Sequence, residues 1–158
     1  MESKKDTERS PFSQFHHVMI VVKDIERAVK YFESIGIGPF RPYPPLQEYE
    51  KLNVEDEDAF YQLIMKEATI GPIVLQLCQP GPGESIYKDF LERNGEGMQH
   101  LGFVVDDIEQ EEEELRRKGF KILSSGRRSD GSGFTYFDTE QDAGVTLLIR
   151  KTSPQKAG

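Results

Sequence analysis

The chain has 158 residues, of which 36% are hydrophobic and 30% are charged, a composition typical of a globular protein with a buried core. Its formal net charge of −8 argues against a general nucleic-acid or membrane-surface binder, because such binding depends on neutralising phosphates with Lys and Arg. Cys78 is the only cysteine, which excludes an intramolecular disulfide and fits a reducing compartment. No apolar run approaches the roughly 20 residues of a membrane span, so we expect a cytoplasmic protein.

One motif occurs twice in the chain. Residues 15–26 (FHHVMIVVKDIE) and residues 98–109 (MQHLGFVVDDIE) align without a gap at an offset of 83, the difference between positions 17 and 100. Besides His17/His100, the identical positions include Val21/Val104, Val22/Val105, Asp24/Asp107, Ile25/Ile108, Glu26/Glu109 and, further on, Gly36/Gly119. Because the offset is about half the chain length, the sequence predicts one duplicated module and not a solenoid.

Each copy begins with a strand followed by a helix. Residues 17–22 and 100–105 are rich in β-branched and apolar side chains, as strands require. Asp24 and Asp107 follow these strands, in position to cap a helix N-terminus. In the first helix an apolar face recurs at i, i+3, i+4 and i+7, formed by Ile25, Ala28, Val29 and Phe32. The pattern therefore predicts a strand, a capped helix and further strands, written twice.

The domain organisation follows from this duplication. We predict five segments: a flexible tail at 1–14, a first βαβββ module at 15–80, a linker with a short helix at 81–97, a second βαβββ module at 98–150, and a tail at 151–158. The fold class is α+β, with the two tandem modules forming a curled mixed sheet around a central cavity.

Three stretches are harder to assign from local pattern. Residues 46–58 are strongly acidic and favour an exposed loop, whereas residues 59–65 and 73–78 favour the two strands of a hairpin. Residues 124–133 favour a flexible basic loop. Within that loop, Arg127 and Arg128 are either solvated or a phosphate clamp, and we assign them to cofactor binding.

Four positions of the duplicated modules are expected to face one cavity. Gln76 is an amide inside an apolar strand, and a buried amide without a partner costs roughly 1–3 kcal/mol. Aligning the last strand of each module places Leu148 at the position that corresponds to Gln76. With the two sheets curled together, His17, Gln76 and His100 converge, and two imidazoles with an amide oxygen suit a divalent metal such as Co, Zn, Mn or Ni.

These features resemble the vicinal oxygen chelate superfamily, which includes glyoxalase I, extradiol dioxygenases, bleomycin resistance proteins and methylmalonyl-CoA epimerase. The resemblance covers residues 15–150. Its most specific part is residues 85–100 (SIYKDFLERNGEGMQH), which are similar to the epimerase segment in which a short helix and a Gly-Glu-Gly turn precede a metal-binding histidine. The strand at 74–80 is similar to the epimerase strand that carries a Gln or Glu ligand.

The resemblance implies a site and a reaction. Epimerases of this kind bind their metal through His, Gln or Glu, His and Glu; the first three correspond to His17, Gln76 and His100, and the fourth to Leu148, which cannot bind a metal. It implies removal of a proton beside a thioester carbonyl, with the metal stabilising the enolate and carboxylates transferring protons. We assign the base to Glu57, from the acidic cluster before the Gln-bearing strand; the second proton-transfer residue is not identified.

Two other functions stay open at this point. One is a related lyase or isomerase that acts on another small acyl or dicarboxylate substrate, and the other is a metal-free small-molecule-binding module, which tolerates Leu148 well. Glyoxalase I and the extradiol dioxygenases each need a carboxylate on the last strand, so Leu148 counts against both. We expect an acyl-CoA or dicarboxylate substrate, a homodimer, and no nucleic-acid or membrane partner.

Overall fold

The computed structural model describes residues 10–154, and within that range no helix is long and apolar enough to cross a membrane. These residues form nine strands, five α-helices and one 3-10 turn. In chain order they are β1 Phe15–Val21, α1 Ile25–Ser34, β2 Arg41–Pro42, the 3-10 turn Leu46–Glu48, β3 Tyr49–Asn53, α2 Glu57–Tyr61, β4 Ile64–Ile70, β5 Ile73–Gln79, α3 Ile86–Asn94, β6 Gly97–Val104, α4 Ile108–Arg117, β7 Ile122–Arg128, β8 Gly133–Phe137, α5 Glu140–Ala143 and β9 Thr146–Lys151.

Side-chain caps start the helices where the sequence predicts them. The Asp24 carboxylate accepts a hydrogen bond from the backbone N–H of Arg27 (3.2 Å), and Asp107 does the same for Gln110 (3.1 Å). Ser85 caps α3 in the same way, accepting from the N–H of Lys88 at 3.0 Å. Each cap satisfies a backbone donor that the first helical turn leaves unpaired. The expected apolar face of α1 is confirmed, since it packs with Leu77 of β5.

The nine strands form one mixed sheet in the order β2-β4-β5-β1-β6-β9-β8-β7-β3. Strand β1 pairs antiparallel with β6 at the junction of the modules, while β5 lies parallel to β1 and β9 lies parallel to β6. The predicted α+β fold of two similar modules in a mixed sheet is confirmed. Strand β3 is an addition: it belongs to the first half of the chain but pairs with β7 at the far edge of the second.

Three local predictions are wrong. Residues 46–58 contain β3 and the start of α2, and the strand predicted at 59–65 begins only at Ile64. Asp56 explains the helix, because its carboxylate caps the N–H of Ala59 at 3.2 Å. The loop predicted at 124–133 is mostly strand β7, which pairs with β8 on one side and β3 on the other. That second pairing partner is distant in sequence, so local composition could not reveal it.

The predicted tails differ from the structure at their inner ends. Residues 1–9 and 155–158 lie outside the described residues. Phe12, however, packs against Phe103 with ring centroids 5.4 Å apart, and the backbone N–H of Val104 donates to Gln14 at 2.9 Å. At the other end, Ser153 is buried and its hydroxyl donates to Asp130 at 2.6 Å. Both ends of the described chain are therefore tied to the second module.

Candidate functional site: paired histidines between the two modules

Two histidines meet where the modules join. His17 lies on β1 and His100 on β6, and both are almost completely buried. Their Nε2 atoms lie 3.0 Å apart, with the two rings nearly perpendicular. The predicted convergence of His17 and His100 is thus present in the structure, produced by the antiparallel pairing of the two duplicated strands.

The pairing register explains how two large rings fit at this junction. His17 lies opposite Gly102, and His100 lies opposite Met19, which is the position equivalent to Gly102 in the first module. The His17 ring rests on the face of Gly102 so closely that a Cβ at that position would overlap it. Glycine at position 102 therefore provides the space into which the His17 imidazole leans.

The imidazoles are held in their neutral forms. Burial lowers the pKa of His100 to about 3, and burial together with the charges of His100, Arg150 and His16 lowers the pKa of His17 well below its usual value. Burial and the charge of Arg150 lower the pKa of His16 to about 4. Neutral imidazole is the form that binds metals, so protonation would not prevent His17 and His100 from binding one at neutral pH.

A chain of contacts orients the histidine rings. The Gln99 Oε1 oxygen only accepts, so the 2.8 Å contact with His100 places a proton on His100 Nδ1 and leaves its Nε2 lone pair facing His17. Without a metal, His17 then donates from Nε2, and its Nδ1 accepts from His16 Nδ1 at 2.8 Å. If His17 held a metal through Nε2, its proton would lie on Nδ1 and face His16.

Sequence reasoning does not identify His16 or Gln99, the residues at the two ends of this hydrogen-bonded series. Strand alternation predicts that His16 points to the opposite face from His17, but a register irregularity between Phe15 and His17 lets the two rings meet edge to face. Gln99 has no signal in the sequence beyond its place next to a histidine. Only a general rule, that ligating histidines usually donate their second N–H to a fixed acceptor, points to such residues.

Gln76 and Leu148 line the same cavity as the two histidines. The Gln76 amide nitrogen donates to Glu67 Oε2 at 3.4 Å. Because a carboxylate only accepts, this contact leaves the Gln76 carbonyl oxygen as the atom available to the cavity. Leu148 is buried on β9, and it takes part in the apolar packing beside the histidines. The four inward positions expected from the duplication therefore share one cavity.

We call this space the inner cavity, and its volume is about 30 Å³, enough for an ion with one or two waters. Of the described residues, those that line it include no Asp or Glu; they are His17, Tyr43, Leu46, Tyr49, Phe60, Met65, Gln76, Tyr87, His100, Gly133, Phe134, Tyr136, Leu148 and Arg150. Its polar rim includes two hydroxyl pairs, Tyr43 with Tyr49 at 2.7 Å and Tyr87 with Tyr136 at 2.6 Å. Sequence reasoning did not identify these tyrosines as site residues.

The donor set fits a divalent metal with three neutral protein ligands. Two buried imidazole nitrogens 3.0 Å apart and a nearby amide oxygen are donor atoms of the types that such a metal would accept. Gln99 and Glu67 orient His100 and Gln76 as outer partners. Between residues 10 and 154 no group of three or more His, Cys, Asp or Glu side chains is placed to hold a metal, so the site depends on the Gln76 amide.

The side chains of Arg127 and Arg128, which were predicted to bind a cofactor, lie on opposite faces of β7. Arg127 donates to Glu109 (2.9 Å), Glu112 (3.2 Å) and the Phe134 carbonyl (2.6 Å), so its guanidinium is occupied by the protein. Arg128, on the opposite face of β7, pairs with Glu48 at 3.2 Å and lies over the Tyr49 ring, 4.2 Å from its centroid. Their use as a joint phosphate clamp stays a prediction that this placement does not support.

Glu57, the predicted base, is the first residue of α2 and is exposed. It is not among the residues that line the inner cavity. Glu67 is the carboxylate that contacts a predicted ligand, Gln76, and it also forms an ion pair with Arg41 at 3.3 Å. The structure therefore brings together His17, Gln76 and His100 but leaves Glu57 outside.

Solved structures share this architecture. A methylmalonyl-CoA epimerase from Mycobacterium tuberculosis superposes with a TM-score of 0.68 and 19% identity, covering 93% of each chain. A Streptomyces coelicolor methylmalonyl-CoA epimerase variant in complex with 2-nitronate-propionyl-CoA gives 0.68 and 22% identity, over 90% of this chain and 96% of that one. A hypothetical protein from Bacillus halodurans C-125 gives 0.67 and 18%, over 92% and 98%. At these identities the likeness shows the fold.

Sequence comparison agrees with the fold. The uncharacterised protein YqjC of Bacillus subtilis (strain 168) is 24% identical over 121 residues, which cover 77% of this chain and 78% of that protein. The family model described as the glyoxalase/bleomycin resistance protein/dioxygenase superfamily matches residues 16–137, well over half of the chain. The chain belongs to the glyoxalase/bleomycin resistance protein/dioxygenase superfamily.

Proposed function

We propose that this protein is a metal-assisted isomerase, similar to methylmalonyl-CoA epimerase, that moves a proton on the carbon beside a thioester carbonyl. The observation that carries the proposal is the 3.0 Å approach of two buried, neutral imidazoles, with the Gln76 amide lining the same cavity. Structural neighbours that are epimerases, one in complex with methylmalonyl-CoA and others with a nitronate-propionyl-CoA, support the choice of substrate class.

In this proposal His17, Gln76 and His100 hold a divalent metal such as Co, Zn, Mn or Ni. When bound, the ion acts as a Lewis acid that lowers the energy of an enolate oxygen. The protein's own groups do the remainder: Gln99 fixes the His100 ring, Glu67 turns the Gln76 oxygen inward, and the apolar lining excludes water. The tyrosine hydroxyls, neutral because burial raises the pKa of Tyr49, Tyr87 and Tyr136, supply hydrogen-bond donors.

The base, the substrate and the assembly are further parts of the proposal. Glu57 is the proposed base, and its exposed position means that α2 must move toward the site for that role. An acyl-CoA or dicarboxylate substrate is proposed, since both carry the carbonyl oxygens that an ion in this cavity binds. We also propose a homodimer, from the resemblance to the epimerases alone.

Deuterium exchange tests the proposed reaction. Protein loaded with Co or Zn in D₂O is incubated with a 2-methyl-branched malonyl thioester, and loss of the α-hydrogen is followed by NMR. We expect metal-dependent exchange in the wild type and at least a hundredfold slower exchange in His100→Ala. A wild type that shows no exchange above the chelator-treated control would contradict the reaction.

A second function is favoured by one specific observation. The lining of the inner cavity includes no carboxylate in the part of the chain that is described, and the two imidazoles satisfy each other without a metal. Such a cavity suits a metal-free module that sequesters a small molecule. That function predicts no metal-dependent exchange together with tight retention of the ligand in chelator, an outcome opposite to that of the isomerase.

A further inference from the structure

A second opening lies beside the histidines, and one of the arginines that line it forms no ion pair with any of residues 10–154. We call this opening the outer pocket; its volume is about 190 Å³, and its lining includes Arg41, Arg128 and Arg150 with Glu67 as the carboxylate. Arg41 pairs with Glu67 at 3.3 Å, and Arg128 pairs with Glu48 at 3.2 Å. Across residues 10–154, no carboxylate forms an ion pair with Arg150, and its buried Nε has no hydrogen-bond acceptor.

Arg150 connects the outer pocket to the histidines. It lies on β9 two residues after Leu148, on the same face of the strand, and it lines both the outer pocket and the inner cavity. The inner cavity offers imidazoles, hydroxyls and an amide, none of which balances a guanidinium charge. A buried donor that lacks an acceptor is costly, so its retention indicates a ligand that supplies one.

We propose that Arg150 binds a carboxylate of an anionic substrate at the point where the inner cavity opens into the outer pocket. The planar guanidinium presents parallel N–H groups that match the two oxygens of a carboxylate. The bound carboxylate also brings to the cavity the negative charge that a Glu would supply at position 148. The assignment deepens the proposed function by naming a substrate class, and its reactive role rests on that function, but the binding step itself requires no metal.

Calorimetric titration with malonate tests this site. Chelator-treated protein is titrated at constant ionic strength with malonate and with malonamide, which has a similar shape and no charge. We expect saturable binding of malonate and none of malonamide. Arg150→Gln should weaken malonate binding at least tenfold, whereas the matched charge removal Lys151→Gln, on the neighbouring residue of β9, should leave it within twofold. Arg150→Lys keeps the positive charge but loses the planar pair of N–H groups, so its malonate affinity should lie between those of wild type and Arg150→Gln.

The melting temperature separates a binding role from a structural one. Without ligand, Arg150→Gln should melt at the same temperature as wild type or higher, because the substitution removes a half-buried cation that forms no ion pair within residues 10–154. Unchanged malonate affinity in Arg150→Gln, equal binding of malonamide, or equal or tighter binding of inorganic phosphate would each overturn the proposal. Every malonate titration uses metal-free protein, so its result can be interpreted even if the protein catalyses no metal-dependent exchange. Conversely, the deuterium-exchange experiment can be interpreted even if Arg150 does not bind malonate.

Discussion

Gly102 is the residue that determines where the His17 ring can lie. A methyl group at this position would overlap the imidazole, whereas a methyl group at Gly97, on the same strand, would have no atom within 4 Å. We predict that Gly102→Ala lowers the free energy of unfolding by about 1–3 kcal/mol, because an overpacked core must shift. It should also weaken metal binding at least tenfold, since the His17 ring is displaced.

Urea unfolding and a metal titration measure these two effects, with Gly97→Ala as the matched control. The control should behave as wild type in both measurements. Wild-type metal affinity in Gly102→Ala would show that His17 is not a ligand or that its ring is placed differently.

The three neighbouring histidines make stability depend on pH. Their pKa values are lowered in the folded state, so the unfolded chain takes up protons first as the pH falls below 6.5. Stability is therefore fully present above about pH 6.5 and decreases toward pH 4. Each histidine contributes up to about 1.4 kcal/mol per pH unit in this window.

Urea unfolding between pH 4.5 and 7.5, in chelator, measures this slope. Removing one titrating group in His100→Asn should make the slope shallower than that of wild type. Equal slopes in the two proteins would mean that His100 is not held neutral by burial.

Leu148 marks the difference between this site and a four-ligand one. Leu148→Glu places a carboxylate beside His17, Gln76 and His100, where its charge should strengthen divalent-metal binding. In chelator the same carboxylate lies buried with only the half-buried Arg150 as a counter-charge in the cavity lining, so it should destabilise the fold. We predict a melting temperature that falls in chelator and recovers with added Co or Zn by more than the wild type gains. Equal metal responses would show that position 148 does not face the ion.

At the scale of elements, Arg127 ties α4 to the β7–β8 hairpin. Its guanidinium bonds to Glu109 and Glu112 of α4 and to the Thr135 hydroxyl of β8 at 3.0 Å. We predict that Arg127→Met lowers the unfolding free energy by about 1–3 kcal/mol, since Glu112, at a half-buried position, loses its ion pair and keeps only the hydrogen bond from the Thr135 hydroxyl. Malonate and metal affinities should stay unchanged.

The phosphate-clamp assignment predicts the opposite pattern for Arg127→Met. A clamp residue would lose affinity for coenzyme A with little change in stability. Chemical denaturation and a coenzyme A titration of the same variant therefore separate the two roles, and Arg128→Met serves as the comparison on the other face of β7.

The elements that the sequence predicts correctly are those with a local physical cause. Asp24 and Asp107 cap their helices as expected, because a cap acts over three residues of one chain segment. The misassigned segments depend on distant partners. Strand β7 pairs with β3 from the other half of the chain, so its local sequence does not indicate a strand. Helix α2 has only five residues and packs against Phe134, so it is too short to show a helical periodicity.

For the whole molecule, the offset of 83 residues is the most informative feature of the sequence. It predicts two similar modules curled toward each other, with His17 and His100 at matching positions. In the structure the matching strands β1 and β6 pair, and that pairing brings His17 and His100 into contact. The offset could not predict His16, Gln99 or Arg150 as parts of the site. Their roles depend on a register irregularity, on side-chain rotation and on which arginine forms no ion pair within residues 10–154, and these features appear only when the chain is folded.

The metal content of the protein decides whether His17, Gln76 and His100 form a metal site. Protein purified without chelator is equilibrated with Co, separated from free ion, and analysed for metal content and for the visible absorption of bound Co. We predict one Co per chain in wild type, loss of binding in His17→Ala and in His100→Ala, and at least tenfold weaker binding in Gln76→Ala. Wild type without bound Co, or His100→Ala with the same Co content and spectrum as wild type, would contradict the three-ligand site.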